Sequence, residues 1–103
     1  VAARNFFATS AINEVPSNIE NVSVYPNPAS DLLSIELSMK TNSNVTINLL
    51  DISGRIVREI SNEKATLGNY KVKTNLSDIS TGVYTVQIIS EGKSINKRIN
   101  ITH

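Results

Sequence analysis

Apolar and polar residues alternate with a period of two over most of this chain. In the clearest stretch Leu33, Ile35 and Leu37 are separated by Ser34, Glu36 and Ser38, the pattern of a strand with one face buried and the other in water. The pattern recurs as Val45, Ile47 and Leu49, as Tyr70, Val72 and Thr74, as Tyr84, Val86 and Ile88, and as Ile95, Ile99 and Ile101. Lys71, Lys73 and Asn75 fall on the opposite face of the fifth strand, and Ser94, Asn96, Arg98 and Asn100 on that of the last. The predicted strands span 22–25, 31–38, 44–52, 55–61, 69–76, 83–90 and 93–102, with no helical period between them. Lys97 interrupts the last inward set, which places it at a sheet edge with its head reaching water, or beside a bulge.

Turn residues sit where the period resets: Asn42-Ser43-Asn44, Ser53-Gly54, Leu67-Gly68-Asn69, Thr81-Gly82 and Glu91-Gly92. Each group offers a residue that tolerates positive φ. Gly82 is expected in that conformation just before Val83, so Gly82→Val is expected to strain the backbone. Short strands with no intervening helix predict an all-β, immunoglobulin-like antiparallel β-sandwich of about seven strands. An open barrel of the oligonucleotide-binding type would use fewer strands than this pattern contains. The Cys-Trp-Cys core of antibody domains is absent, so the likeness is one of architecture.

Residues 1–21 carry no sustained period and read as a linker or the tail of an upstream cargo domain, leaving 22–103 as the folded module. Phe6-Phe7 reads as the end of that upstream domain, or a stub covering a strand edge, in preference to a docking anchor. In Val24-Tyr25-Pro26-Asn27-Pro28-Ala29 both prolines lack an N–H and bias the preceding residue towards extended geometry, so the first strand must end near Tyr25.

A length of 103 residues fits one small domain with a tail. Ten Lys and Arg against nine Asp and Glu give a net charge of +1, too weak a field to argue for nucleic acid as the partner. No basic-then-apolar leader or membrane-spanning run is present, so an export signal is expected upstream of Val1. With no Cys and one His there is neither a disulfide nor a plausible zinc set. His103 stands at the frayed end of the chain, where no pre-organised base is expected. Asp31, Asp51 and Asp78 lie beside turns and could meet at one pole to hold Ca²⁺; the simpler expectation is that each accepts nearby backbone N–H groups. No Gly-x-Ser-x-Gly elbow and no phosphate-cradling glycine loop is present, so no enzyme activity, cofactor or small-molecule substrate is expected. Tyr25, Tyr70 and Tyr84 could line a sugar platform, but Tyr70 and Tyr84 are in phase with buried positions.

Three ordered blocks carry a resemblance: Tyr25-Pro26-Asn27-Pro28 with the strand after it; Leu49-Leu50-Asp51-Ile52-Ser53-Gly54-Arg55-Ile56-Val57; and Leu76-Ser77-Asp78-Ile79-Ser80-Thr81-Gly82-Val83-Tyr84-Thr85-Val86. A glycine turn at Glu91-Gly92-Lys93 and a basic-apolar final strand follow. Over roughly 22–103 the chain resembles the type A C-terminal sorting domain of the type IX (Por) secretion system. The family pattern places Tyr25, Pro26, Asn27, Pro28, Asp51, Gly54, Arg55, Gly82 and Tyr84 among its motif residues. Many members finish on Lys or Arg, whereas this chain ends in Ile101-Thr102-His103.

The resemblance implies a secreted or surface-bound cargo, carried across the periplasm and outer membrane by the translocon with shuttle and sortase proteins as partners. Recognition would fall on Lys93, Lys97, Arg98, Ile99 and Ile101, and a sortase would cut between Ser10 and Asn21. An adhesin-like or fibronectin-like binding module, or a spacer, is the alternative. The turns hold Asn, Ser, Thr, Gly and Lys with no Trp and no Phe, poor equipment for stacking on sugars.

Overall fold

A computed structural model describes residues 16–103, so Phe6-Phe7 and the first part of the predicted linker lie outside the described residues. The chain forms strands β1 (Ile19–Tyr25), β2 (Leu32–Met39), β3 (Ser43–Leu50), β4 (Ile56–Ala65), β5 (Gly68–Asn75), β6 (Gly82–Ser90) and β7 (Lys93–Ile101). They build two antiparallel sheets, ordered β1-β2-β5 and β4-β3-β6-β7. This is the expected β-sandwich, and among the described residues there is no helix.

The period-two pattern holds most cleanly where a strand has neighbours on both sides. Leu33, Ile35 and Leu37 of β2, Val45, Ile47 and Leu49 of β3, and Val86 and Ile88 of β6 are all buried. In β5 the phase is the expected one, but Tyr70, Val72 and Thr74 are only half-buried, because β5 is an edge strand. Lys97 lies in the inward phase opposite the buried Val86, and the β6–β7 register runs past it without a shift. Of the two expectations for Lys97 the sheet edge is the one realised, since β7 ends the four-stranded sheet. There the facing three-stranded sheet leaves the side chain exposed.

Two element bounds differ from the sequence expectation by three residues or more, the rest by no more than two. β1 opens at Ile19, inside the stretch read as linker, because Pro16, Asn18 and Ile19 are buried. Asn18 Nδ2 donates to Ser90 Oγ at 3.1 Å, Ser90 Oγ donates to the Asn44 carbonyl at 2.9 Å, and the Asn18 carbonyl accepts the Lys40 N–H at 2.8 Å. The entry to β1 is thus tied to both sheets. β4 runs on to Ala65 and pairs with the whole of β3, with register shifts between Ile47 and Asn48 and between Leu49 and Leu50. Such irregularities change which face a residue takes, so the alternation of Ile56, Val57 and Ile60 could not mark the strand's length.

The turns also divide. Gly54, Gly68 and Gly92 adopt positive φ of 91°, 109° and 75°. Gly82 does not, which overturns the expectation of strain there. It is already the first residue of β6, paired with Ile101, and an added Cβ would meet the Tyr84 ring at 3.5 Å, an ordinary contact. The reversal before it is made earlier, where the Ile79 N–H bonds to the Leu76 carbonyl at 2.9 Å. The connection through Asn42-Ser43-Asn44 likewise uses no positive φ.

Candidate functional site

The family-motif residues come together at one pole of the sandwich, around the end of β7. Ile101 is fully buried and pairs with Gly82 on one side. On its other side the chain just past Pro28 forms an isolated parallel bridge from Ala29, itself fully buried. Ala29 N–H donates to the Asn100 carbonyl at 2.8 Å, the Ala29 carbonyl accepts the Thr102 N–H at 2.9 Å, and Asn27 Oδ1 accepts the Asn100 N–H at 3.0 Å. The Tyr25-Pro26-Asn27-Pro28 element is therefore a corner that ends β1 and clasps the last turn of chain; both of its X-Pro bonds are cis.

At the same pole, register carries β7 across to β3, with Arg98 opposite Thr85 and Thr85 opposite Leu50. Asp51 follows immediately and organises the β3–β4 turn. Its carboxylate accepts the Ser53 hydroxyl at 2.7 Å, the Ser53 N–H at 2.9 Å, the Arg55 N–H at 3.0 Å and Arg55 Nε at 3.3 Å. These donors, the Ser53 hydroxyl foremost and the Arg55 N–H next, hold its pKa down to about 2. The turn closes where the Asp51 N–H donates to the Arg55 carbonyl at 2.9 Å, with Gly54 at positive φ. A spacing of three between Asp51 and Gly54 thus encodes a rigid reversal, one that leaves Ile52 86% and Ile56 60% exposed.

Tyr84 packs into the core and donates its hydroxyl to the Ser80 carbonyl at 2.7 Å. Tyr70 is half-buried and donates to Glu63 at 2.6 Å, with Ser61 beside it; burial, then the Glu63 carboxylate, raises its pKa. Tyr84 is thus a core residue, and Tyr70 keeps only part of its surface in water. Tyr25 does stand outward, with Lys71 Nζ 5.9 Å from its ring centroid.

The three aspartates do not converge. Asp78 pairs with Arg58 at 2.5 Å, which lowers its pKa. Arg58 also reaches the Asn75 carbonyl and so ties β4 to the end of β5. Among the described residues the Asp31 side chain meets only Ser30, and its carbonyl accepts the Leu76 N–H at 2.7 Å. His103, expected to fray, is held: its N–H meets Thr81 Oγ1 at 3.3 Å and its Nε2 lies 2.6 Å from the Ile79 carbonyl.

The predicted recognition residues separate by depth. Ile99 and Ile101 are core residues, 2% and 0% exposed, whereas Lys97 and Arg98 are exposed and Lys93 is half-exposed. Among the described residues neither Lys97 nor Arg98 has an acidic partner.

Comparison with known families gives a match to the Por secretion system C-terminal sorting domain over residues 23–102, nearly the whole described fold. The chain belongs to this family. The sorting domain's function is that of a C-terminal sorting signal of the type IX secretion system. No curated protein sequence matches it. Among solved structures it is similar to dimeric latent PorU from Porphyromonas gingivalis, with a TM-score of 0.69 and 19% identity over 94% of this chain and 10% of that one. It is also similar to PorZ, an essential surface component of the type IX secretion system of the same organism, with a TM-score of 0.53 and 22% identity over 80% of this chain and 11% of that one. At these identities the likeness is one of fold, and the sorting domain spans about a tenth of either structure.

Proposed function

We propose that the sorting domain is a non-catalytic passport: fused behind a cargo, it is read by the outer-membrane translocon, passed to shuttle and sortase proteins, and then cut away as the cargo is left on the cell surface or released. The observation that carries this is the family match across the folded module, with every motif block gathered at one pole around β7. The domain is the substrate of these steps. Lys97 and Arg98 are its accessible recognition groups; Ile99 and Ile101 act by holding the strand in place.

A sortase cut in the interval Ser10 to Asn21 is part of this reading. A protease needs several residues of accessible extended chain, and Pro16, Asn18 and Ile19 are buried. Within the interval Ser10 to Asn21, this weighs against a cut at those three buried residues. The test is a reporter fused ahead of the whole chain in a host carrying a type IX system. Surface or released reporter is expected from the parent, and periplasmic retention after deletion of Lys97 to His103, which uncovers backbone groups of β6 and part of the core. A parent fusion that stays in the periplasm would refute the sorting role for this chain.

A further inference from the structure

We propose that the free edge of β7 between Ser94 and Arg98 is a strand-addition site that pairs with an extended, acidic segment of a machinery protein. The proposal rests on the sorting role and names how the final strand is read.

The geometry follows from where Asn100 sends its backbone. Asn100 stands opposite Val83 of β6, yet its N–H goes to Asn27 Oδ1 and its carbonyl to the Ala29 N–H. Both groups thus point away from β6. In an antiparallel ladder alternate residues turn their N–H and carbonyl groups to the same side, and the β6–β7 register has no shift. Ser94, Asn96 and Arg98 therefore direct their backbone groups to the outer edge as Asn100 does. At Asn100 that edge is occupied by the Ala29 bridge; from Ser94 to Arg98, among the described residues, no strand pairs with it. The edge already accepts a backbone bridge from a parallel segment, and a visiting strand would lie in line with Ala29.

Charge selects the visitor. Lys97 lies on the inward face of β7 and Arg98 on the outward face, so the strand carries an exposed positive head on each side of its open stretch. An exposed edge is a template for pairing with other chains, and lysines there oppose a second basic strand. Two copies of β7 would bring these heads together, whereas Asp or Glu on an entering strand would meet opposite charge on either face. Backbone pairing supplies affinity in this mode, and alternate side chains supply choice of partner.

Proline isolates the backbone contribution. At Asn96 it removes an N–H that faces the open edge and leaves the ladder to β6 in place, a position where strands tolerate it. In the reporter fusion, Asn96→Pro is expected to lower export about tenfold or more. Asn96→Ala, which keeps the N–H, should lose clearly less than Asn96→Pro, and both purified variants should melt near the parent. Ser94→Pro is the second outward position and should behave as Asn96→Pro does. Lys97→Glu with Arg98→Glu should fold normally and also lose about tenfold.

The parent fusion tests the sorting role and the variants test strand addition, so the two can fail separately. Folded Asn96→Pro and Ser94→Pro exported as well as the parent would overturn strand addition. Unfolding by both prolines would overturn it too, because those amides would then belong to the ladder with β6. Normal export of the double Glu variant would overturn the acidic character of the partner.

Discussion

Ile35 has no exposed surface and sits between Val24 of β1 and Val72 of β5 at the centre of the smaller sheet. Truncation there removes apolar contact and leaves a cavity that flanking strands cannot collapse into, so Ile35→Ala is expected to destabilise by about 2 to 5 kcal/mol in denaturant melts. Gly82→Val, by contrast, should be mild: φ is not in the left-handed region, and the new side chain meets a Tyr84 ring at contact distance. Asp51 gives a pH signature. Its folded pKa of about 2 lies below the value of 3.8 for a free carboxyl, so its stabilising contribution is fully present above pH 3.8 and lost as pH falls towards 2. An NMR titration of the Asp51 carboxyl should show the low midpoint, and Asp51→Asn should weaken the dependence of stability on pH across that window.

At the scale of elements, the corner and β7 stabilise each other. Asn27 supplies a side-chain acceptor to an amide that no strand would otherwise pair, and Ala29 bridges the next step. Asn27→Ala is expected to destabilise by about 1 kcal/mol and to speed hydrogen exchange at the Asn100 amide, with β6 amides little affected. Equal acceleration throughout β6 and β7 would mean that the clasp has no local role.

At the scale of the whole molecule, the boundary of the folding unit precedes the family match. The match begins at residue 23, but Ile19 is buried and Asn18 links the start of β1 to Ser90 at the far end of β6. A fragment 23–103 should therefore be less stable than 16–103 by at least about 2 kcal/mol, the contribution of one buried aliphatic side chain with its hydrogen-bonded neighbour. Limited proteolysis of the full chain should leave a core whose first residue is no later than Pro16. A core beginning near Val22 would show that the Asn18 contacts do not hold in solution.

The alternation of side chains determined the fold class and most of the core, because a strand's two faces are written directly into its sequence at period two: Leu33, Ile35, Ile47, Leu49, Val86 and Ile88 are buried as read, whereas Ile19, Ala29, Met39, Ala65 and Leu76 lay outside the inward sets. The ordered motif blocks likewise marked the family from sequence alone. Tertiary structure decided what depends on neighbours distant along the chain. Tyr70 and Val72 keep the inward phase but only half the burial, since nothing flanks β5 on one side. Ile99 and Ile101, read together with Lys97 and Arg98, part from them because inward residues near the pole are covered and Lys97 at the open edge is not. The clasp between Asn27 and Asn100, and the buried Asn18, join residues more than seventy positions apart, a proximity that no local period encodes.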